Sequence, residues 1–232
     1  MGTILRARTF AILLGVVLSL IAPSTWAVTF NFASFANGDS LPSGYSAAGT
    51  FVPGPLSPAL PGENPYLIFS MTSDTGLTVT ATAYYNDAQA YAYLDGYDNN
   101  RPGGLGACHV NNGNCAGNDD DNVTESEYVH LHFSDMVSIG NVWFRNQDHG
   151  TSFDGNILIN GDEYALASSL SFSGLTGQDF DFAWDANNGD DFYIKKMCVT
   201  PLPPPEVPEP ATLGLLGMGL LGLFGRTRRR RS

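Results

Sequence analysis

Basic residues are almost missing from the middle of this 232-residue chain. Between Val28 and Thr200 there are four, Arg101, Arg145, Lys195 and Lys196, against 21 acidic residues. Such a surface argues against nucleic acid as a partner, because that binding rests on cations neutralising phosphates, and equally against anionic lipid. Cysteine is scarce too, with three in all and no CxxC pair, which speaks against a zinc site. No segment holds a 3.6-residue apolar period for long, so extended amphipathic helices are not expected. Gly-x-Ser-x-Gly, His-Glu-x-x-His and phosphate-cradling glycine loops are all absent. Acids are so numerous that no carboxylate pair for glycoside hydrolysis can be singled out.

What the central region has in quantity is Tyr, Phe, Val and Thr, punctuated by Gly, Asn and Asp, the composition of an all-β protein. Val28–Phe32 alternates apolar and polar residues, and so does the run from Leu77 to Tyr85. Further strands are predicted over Tyr66–Met71, Ala88–Leu94, Tyr128–Phe133, Val137–Arg145, Ser168–Phe172, Phe180–Trp184 and Phe192–Val199. Ile157–Ile159, Asn160-Gly161 and Asp162–Leu166 read as a hairpin, with Asn-Gly supplying the positive φ of a type I′ turn. About nine to eleven short strands with turns between them suggest a β-sandwich or jelly roll over residues 28–200. Pro53–Gly62 reads as a surface loop, and residues 201–206 as a stiff proline-rich linker.

Both ends read as addresses rather than fold. Arg6 and Arg8, the apolar stretch Phe10–Ala22, and the small residues Thr25 and Ala27 around Trp26 form a signal peptide over residues 1–27. It implies signal peptidase as a partner and export. At the other end, Val207-Pro208-Glu209-Pro210 precedes an apolar run from Ala211 to Gly225, then Arg226 and Arg228–Arg231. Pro210–Gly225 as a helix rises about 24 Å at 1.5 Å per residue, a marginal single membrane helix against a hydrocarbon core of about 30 Å. The arginines would hold its end in the cytoplasm. Residues 207–232, in this order and layout, resemble the PEP-CTERM tail of bacterial proteins handled by an exosortase. The resemblance implies that the enzyme cuts at or near Pro208-Glu209-Pro210, after the helix has served as a membrane anchor. It implies a final place at the cell surface or in the extracellular matrix.

A second, looser resemblance covers the middle. Gly103-Gly104-Leu105-Gly106-Ala107-Cys108, then Asn118–Asn122, Glu125–Phe133 and Gly140–His149, are similar to a set of exported β-sandwich proteins that share this tail. Those relatives have no established activity, so the likeness bears on fold and export.

Cys108 and Cys115 have six residues between them in a Gly/Asn-rich stretch, a separation that suits a local disulfide in an oxidising compartment. Cys198 is then a buried thiol or the partner in another pairing, intermolecular or with one of these two. Asp119, Asp120, Asp121, Asn122, Glu125 and Glu127 gather hard oxygen donors at the density calcium takes, and a divalent cation would relieve their repulsion. The spacing is not that of an EF-hand, and a solvated acidic turn is the plainer alternative. His130 and His132 share one face of a strand, where they could hold a transition metal with His109 or His149 or simply face solvent. Tyr84, Tyr85, Tyr91, Tyr93 and Tyr97 offer either a sugar-stacking platform or ordinary packing. The reading as a whole is an exported, non-enzymatic β-sandwich protein. Its rivals are a carbohydrate-binding module holding exopolysaccharide, with or without calcium as a cofactor, and a secreted hydrolase.

Overall fold

A computed structural model describes residues 26–51, 64–98, 101–109 and 121–204. The chain divides into a compact unit ending at Leu202 and a second unit from Pro203 onward. The signal segment up to residue 25, Cys115, Asp119, Asp120 and the tail from residue 205 lie outside the described residues, so both expected membrane-active helices do as well. Among the described residues, no helix is long and apolar enough to cross a membrane.

The first strand, β1 (Val28–Asn31), stops where Asn31 caps a single helical turn, α1 (Phe32–Ala36). The Asn31 side chain accepts a hydrogen bond from the Ser34 amide at 3.1 Å, which ends the alternation one residue before Phe32. After α1 come β2 (Ser46–Phe51), β3 (Asn64–Thr72), β4 (Thr78–Tyr85), β5 (Ala88–Asp98) and β6 (Arg101–Cys108). The β4–β5 hairpin turns on Asn86 and Asp87 at φ 47° and 61°, the pairing of positive φ values that a two-residue turn needs. Then follow β7 (Glu127–Arg145), β8 (Asn156–Ile159), β9 (Asp162–Ala165), β10 (Ser169–Trp184) and β11 (Tyr193–Pro201). Asn160 and Gly161 join β8 to β9 at φ 52° and 85°, as the Asn-Gly pair predicts.

The two-sheet sandwich expected from the sequence is replaced by one continuous antiparallel sheet. β6, β5, β3, β4, β7 and β11 close into a six-strand barrel, with β1, β2, β10, β8 and β9 attached outside the ring. The strand that closes the ring is β7. Its first half pairs β4, from Tyr85↔Glu127 to Val79↔Phe133, and its second half pairs β11, from Pro201↔Val137 to Tyr193↔Arg145. At the exchange, Ser134, Asp135 and Met136 are exposed in succession, and the alternation slips before Val137 turns inward. Two predicted strands are therefore one bent strand. β10 likewise joins the predicted Ser168–Phe172 and Phe180–Trp184, and its register shifts near Gly174 (φ 93°) and Gly177 let it follow the bend.

The inward faces form one contiguous core. Val79, Ala81 and Ala83 of β4, Ala90, Ala92 and Leu94 of β5, and Val129, Leu131 and Phe133 of β7 belong to it. So do Phe180 and Phe182 of β10, Met197 and Val199 of β11, and Phe30 of β1. Small alanines on β4 and β5 share this core with large Phe side chains, among them Phe69 of β3, the register partner of Ala81. Pro201 still pairs Val137, and the Leu202 amide donates to the Met136 carbonyl at 2.7 Å, so the sheet takes in the first residues of the expected linker.

Candidate functional site

The stretch Gly103–Cys108, which lies outside the strands predicted from the sequence, is part of strand β6. Leu105 and Ala107 face the core, so Gly106 and Cys108 take the barrel's outer face, opposite Tyr93 and Tyr91 of β5. An outer face is ordinarily wet, yet Tyr93, Cys108 and Asp95 are buried. The cover is the backbone at Asp121–Asn122, which lies directly on Gly106. A Cβ there would meet the Asp121 carbonyl and stand 2.8 Å from Asn122 Cα. At Gly104 a Cβ would come 2.5 Å from the Ile194 carbonyl, and at Gly103 it would strike the Asp95 carboxylate. The glycines thus have a specific cause: close approach of backbone and carboxylate to a strand surface.

Under this cover lies a polar network that no sequence motif announced. His149, in the turn after β7, sets its Nε2 against the Asp95 carboxylate, with both side chains about 5% exposed or less. Its Nδ1 is 2.9 Å from the Arg101 carbonyl. A carbonyl only accepts, so Nδ1 donates, and a proton on Nε2 as well suits the carboxylate. Burial alone would lower the His149 pKa. The hydrogen bond and charge of Asp95, the Arg101 carbonyl and the charge of Asp121 outweigh it, and the net shift is upward. The Tyr193 ring meets the His149 ring edge-on at 5.3 Å, and its hydroxyl donates to Asp121 Oδ1 at 2.6 Å. Burial first, then the charges of Asp121 and Asp95, push the Tyr193 phenol well above its ordinary pKa, so it remains a donor. The sequence signal that could have located this site is the glycine spacing of β6, which asks what lies across from each missing Cβ.

The six proposed calcium ligands do not gather where described. Asp119 and Asp120 lie outside the described residues. Asp121 is engaged by Tyr193, Asn122 is fully buried, and Glu125 is exposed. Glu127 turns inward: its Oε2 accepts from the Thr124 amide at 3.0 Å, and His109 Nδ1 stands 3.5 Å from its Oε1. Among the described residues no group of three or more His, Cys, Asp or Glu side chains is placed to hold a metal ion, and calcium finds no support. His130 and His132 do sit on the outward face of β7, where β10 opposes them with carboxylates. His130 Nδ1 is 2.7 Å from Asp181 Oδ1, and His132 Nδ1 is 2.7 Å from Asp179 Oδ1. The tyrosines scatter. Tyr93 is buried, Tyr85 stacks on His109 at 3.8 Å, and Tyr84 stacks on Tyr128 at 4.8 Å on the outer face. The Tyr97 side chain lies outside the described residues. Among the described residues no two cysteines are joined; Cys198 is a free thiol, which removes its pairing with Cys108. Cys115 lies outside the described residues.

Residues 206–230 match the family model described as the PEP-CTERM protein-sorting motif. The chain carries a PEP-CTERM tail. Such proteins are exported and sorted to the cell surface by exosortase, and the motif implies that exosortase processes this chain. The match spans Val207-Pro208-Glu209-Pro210, the apolar run and most of the terminal arginines, and leaves the barrel untouched. No curated protein and no solved structure matches the chain.

Proposed function

We propose that the barrel is a non-catalytic component of the bacterial cell surface or extracellular matrix, delivered there by its PEP-CTERM tail. One observation carries this reading: the described carboxylates packed under the covering segment and beside it are committed to partners inside the domain. Asp95 faces His149, Asp121 accepts from Tyr193, and Glu127 caps its own turn, while the half-exposed Asp179 and Asp181 pair His132 and His130. A general acid or nucleophile has to reach a substrate atom, and Asp95, Asp121 and Glu127 are turned toward the protein. The test is turnover of glycoside, ester and peptide substrates by the exported protein. Turnover that disappears in Asp95→Asn, Glu127→Gln or Asp179→Asn would overturn the reading.

A carbohydrate-binding role has one observation of its own. The stacked Tyr84–Tyr128 pair lies on the outward face of β4 and β7 beside Thr82 and His130, which are register partners there, with Asp181 opposite His130 on β10. Aromatic faces flanked by hydroxyl, imidazole and carboxylate groups are what neutral sugars use. Retention on a glycan array lost in Tyr84→Ala and Tyr128→Ala would establish it; an array without retention would remove it.

A further inference from the structure

The four cations of this acidic domain are gathered in one place, and among the described residues none is in an ion pair with a carboxylate. Arg145 closes β7, directly across from Tyr193 of β11. Lys195 and Lys196 follow on β11 at a register shift between Ile194 and Lys196, and both are half-exposed between the buried Ile194 and Met197. A bulge at that point turns two successive side chains away from the core. Lys196 opposes Trp143 across the strands and holds its ammonium 4.2 Å above that indole ring. Arg101 opens β6, the other neighbour of β11 in the ring, and its charge reaches Arg145. Among the described residues every ion pair involves a histidine, so no arginine or lysine is paired with a carboxylate. Arg145 Nε is moreover buried without a hydrogen-bond partner.

With acids so much in excess, this is an unexpected result. Scattered cations would be paired by the nearest of 21 carboxylates. Here they crowd each other instead. Burial and then the Arg101 charge lower the Arg145 pKa, and burial, Arg145 and Lys196 lower that of Lys195. Like charges held together at a cost, with no arginine or lysine ion pair among the described residues, mark a place where an external anion completes the structure. Beside them Trp143 supplies a half-exposed ring, and Asn141 and Ser171 a polar pair joined at 2.6 Å, on the same outward surface of β7 and β10.

We propose that Arg101, Arg145, Lys195 and Lys196, with Trp143 and Asn141, form a binding site for an acidic saccharide, a uronate or sulfated sugar unit of a surface polysaccharide. The charge requires an anion, and the ring beside amide and hydroxyl groups suits a sugar. The rest of the domain repels extended polyanions, which limits the contact to a short acidic stretch and disfavours a nucleic acid. This site is separate from the Tyr84–Tyr128 face, and either can exist without the other.

The test is calorimetric titration of the exported protein with oligogalacturonate, dextran sulfate and neutral dextran, at low and high salt. Binding of one or both acidic probes is expected, weakened by salt, whereas any binding of neutral dextran should respond neither to salt nor to the lysine variant. The Lys195→Gln, Lys196→Gln double variant, whose side chains are half-exposed, should reduce affinity about tenfold or more, while Gln89→Ala, at an exposed position of β5, leaves it unchanged. Arg145→Gln serves as a second variant, read only if its melting midpoint is retained. Failure of both acidic probes to bind, or equal binding by the lysine variant, overturns the proposal. Self-association that the lysine variant abolishes would assign the site to an acidic segment of a second copy and overturn it too.

Discussion

His149 Nε2 lies against the Asp95 carboxylate beneath the Asp121–Asn122 cover, between a turn that follows β7 and the outer face of β5. The pair ties the β7 end to the barrel wall at a point that local sequence does not mark. Tyr193 and Asp121 extend it to β11 and to the covering segment.

Stability should fall on the alkaline side because of this pair. The His149 pKa is raised above its ordinary 6.5 in the folded state. Its contribution is therefore complete below the unfolded-state value and is lost as pH rises through the higher folded value. Urea midpoints taken from pH 5 to pH 9 should show this loss in the native protein and not in His149→Gln. Parallel curves for the two proteins would refute it.

Removing one partner should cost more than removing both. His149→Ala leaves a carboxylate that is 3% exposed without its cation, and an uncompensated buried charge costs about 3–5 kcal/mol. Asp95→Asn combined with His149→Gln should lose distinctly less. Equal losses for the single and double variants, by chemical denaturation, would show that the two side chains are not coupled.

Gly106→Ala should destabilise the domain by roughly 1–3 kcal/mol, because the new methyl meets backbone rather than a flexible side-chain end. Gly140→Ala is the matched control: its Cβ would meet only the Cys198 carbonyl at 3.6 Å, an ordinary contact. Thermal midpoints that fall equally in both variants would mean that the cover does not press on β6.

A bridge between Cys108 and Cys115 should appear in a non-reducing digest as one peptide pair carrying the oxidised mass. Cys108 is fully buried at the end of β6, so closing the short connection there would hold the Asp121–Asn122 cover in place. Alkylation of both thiols in exported protein, before reduction, would dispose of the bridge.

The mature protein should begin at Val28 and lack the terminal arginines. Intact-mass measurement of surface-extracted protein reads this directly. A mature species retaining Arg228–Arg231 would contradict cleavage at the Pro-Glu-Pro region.

Local chemistry alone determined the elements whose cause is local. The alternation in β4, the Asn160-Gly161 hairpin and the Val207-Pro208-Glu209-Pro210 tail are all written within a few residues, because strand faces, turn φ values and sorting signals depend on near neighbours. The tertiary structure decided what depends on partners far along the chain. The same alternating strands serve a sandwich or a barrel; closure came from β7 bending at Ser134–Met136 and exchanging β4 for β11. Gly103–Cys108 fell outside the predicted strands because glycines are frequent in loops, and only the backbone at Asp121–Asn122 and Ile194 shows why a strand needs them. The acids around Asp121 and Glu127 looked like ligands because spacing carries no direction; in the fold one accepts from Tyr193 and the other caps its own turn. The four cations, 101 to 196 in the numbering, come together because β6 and β7 flank β11, a neighbourhood set by long-range strand pairing.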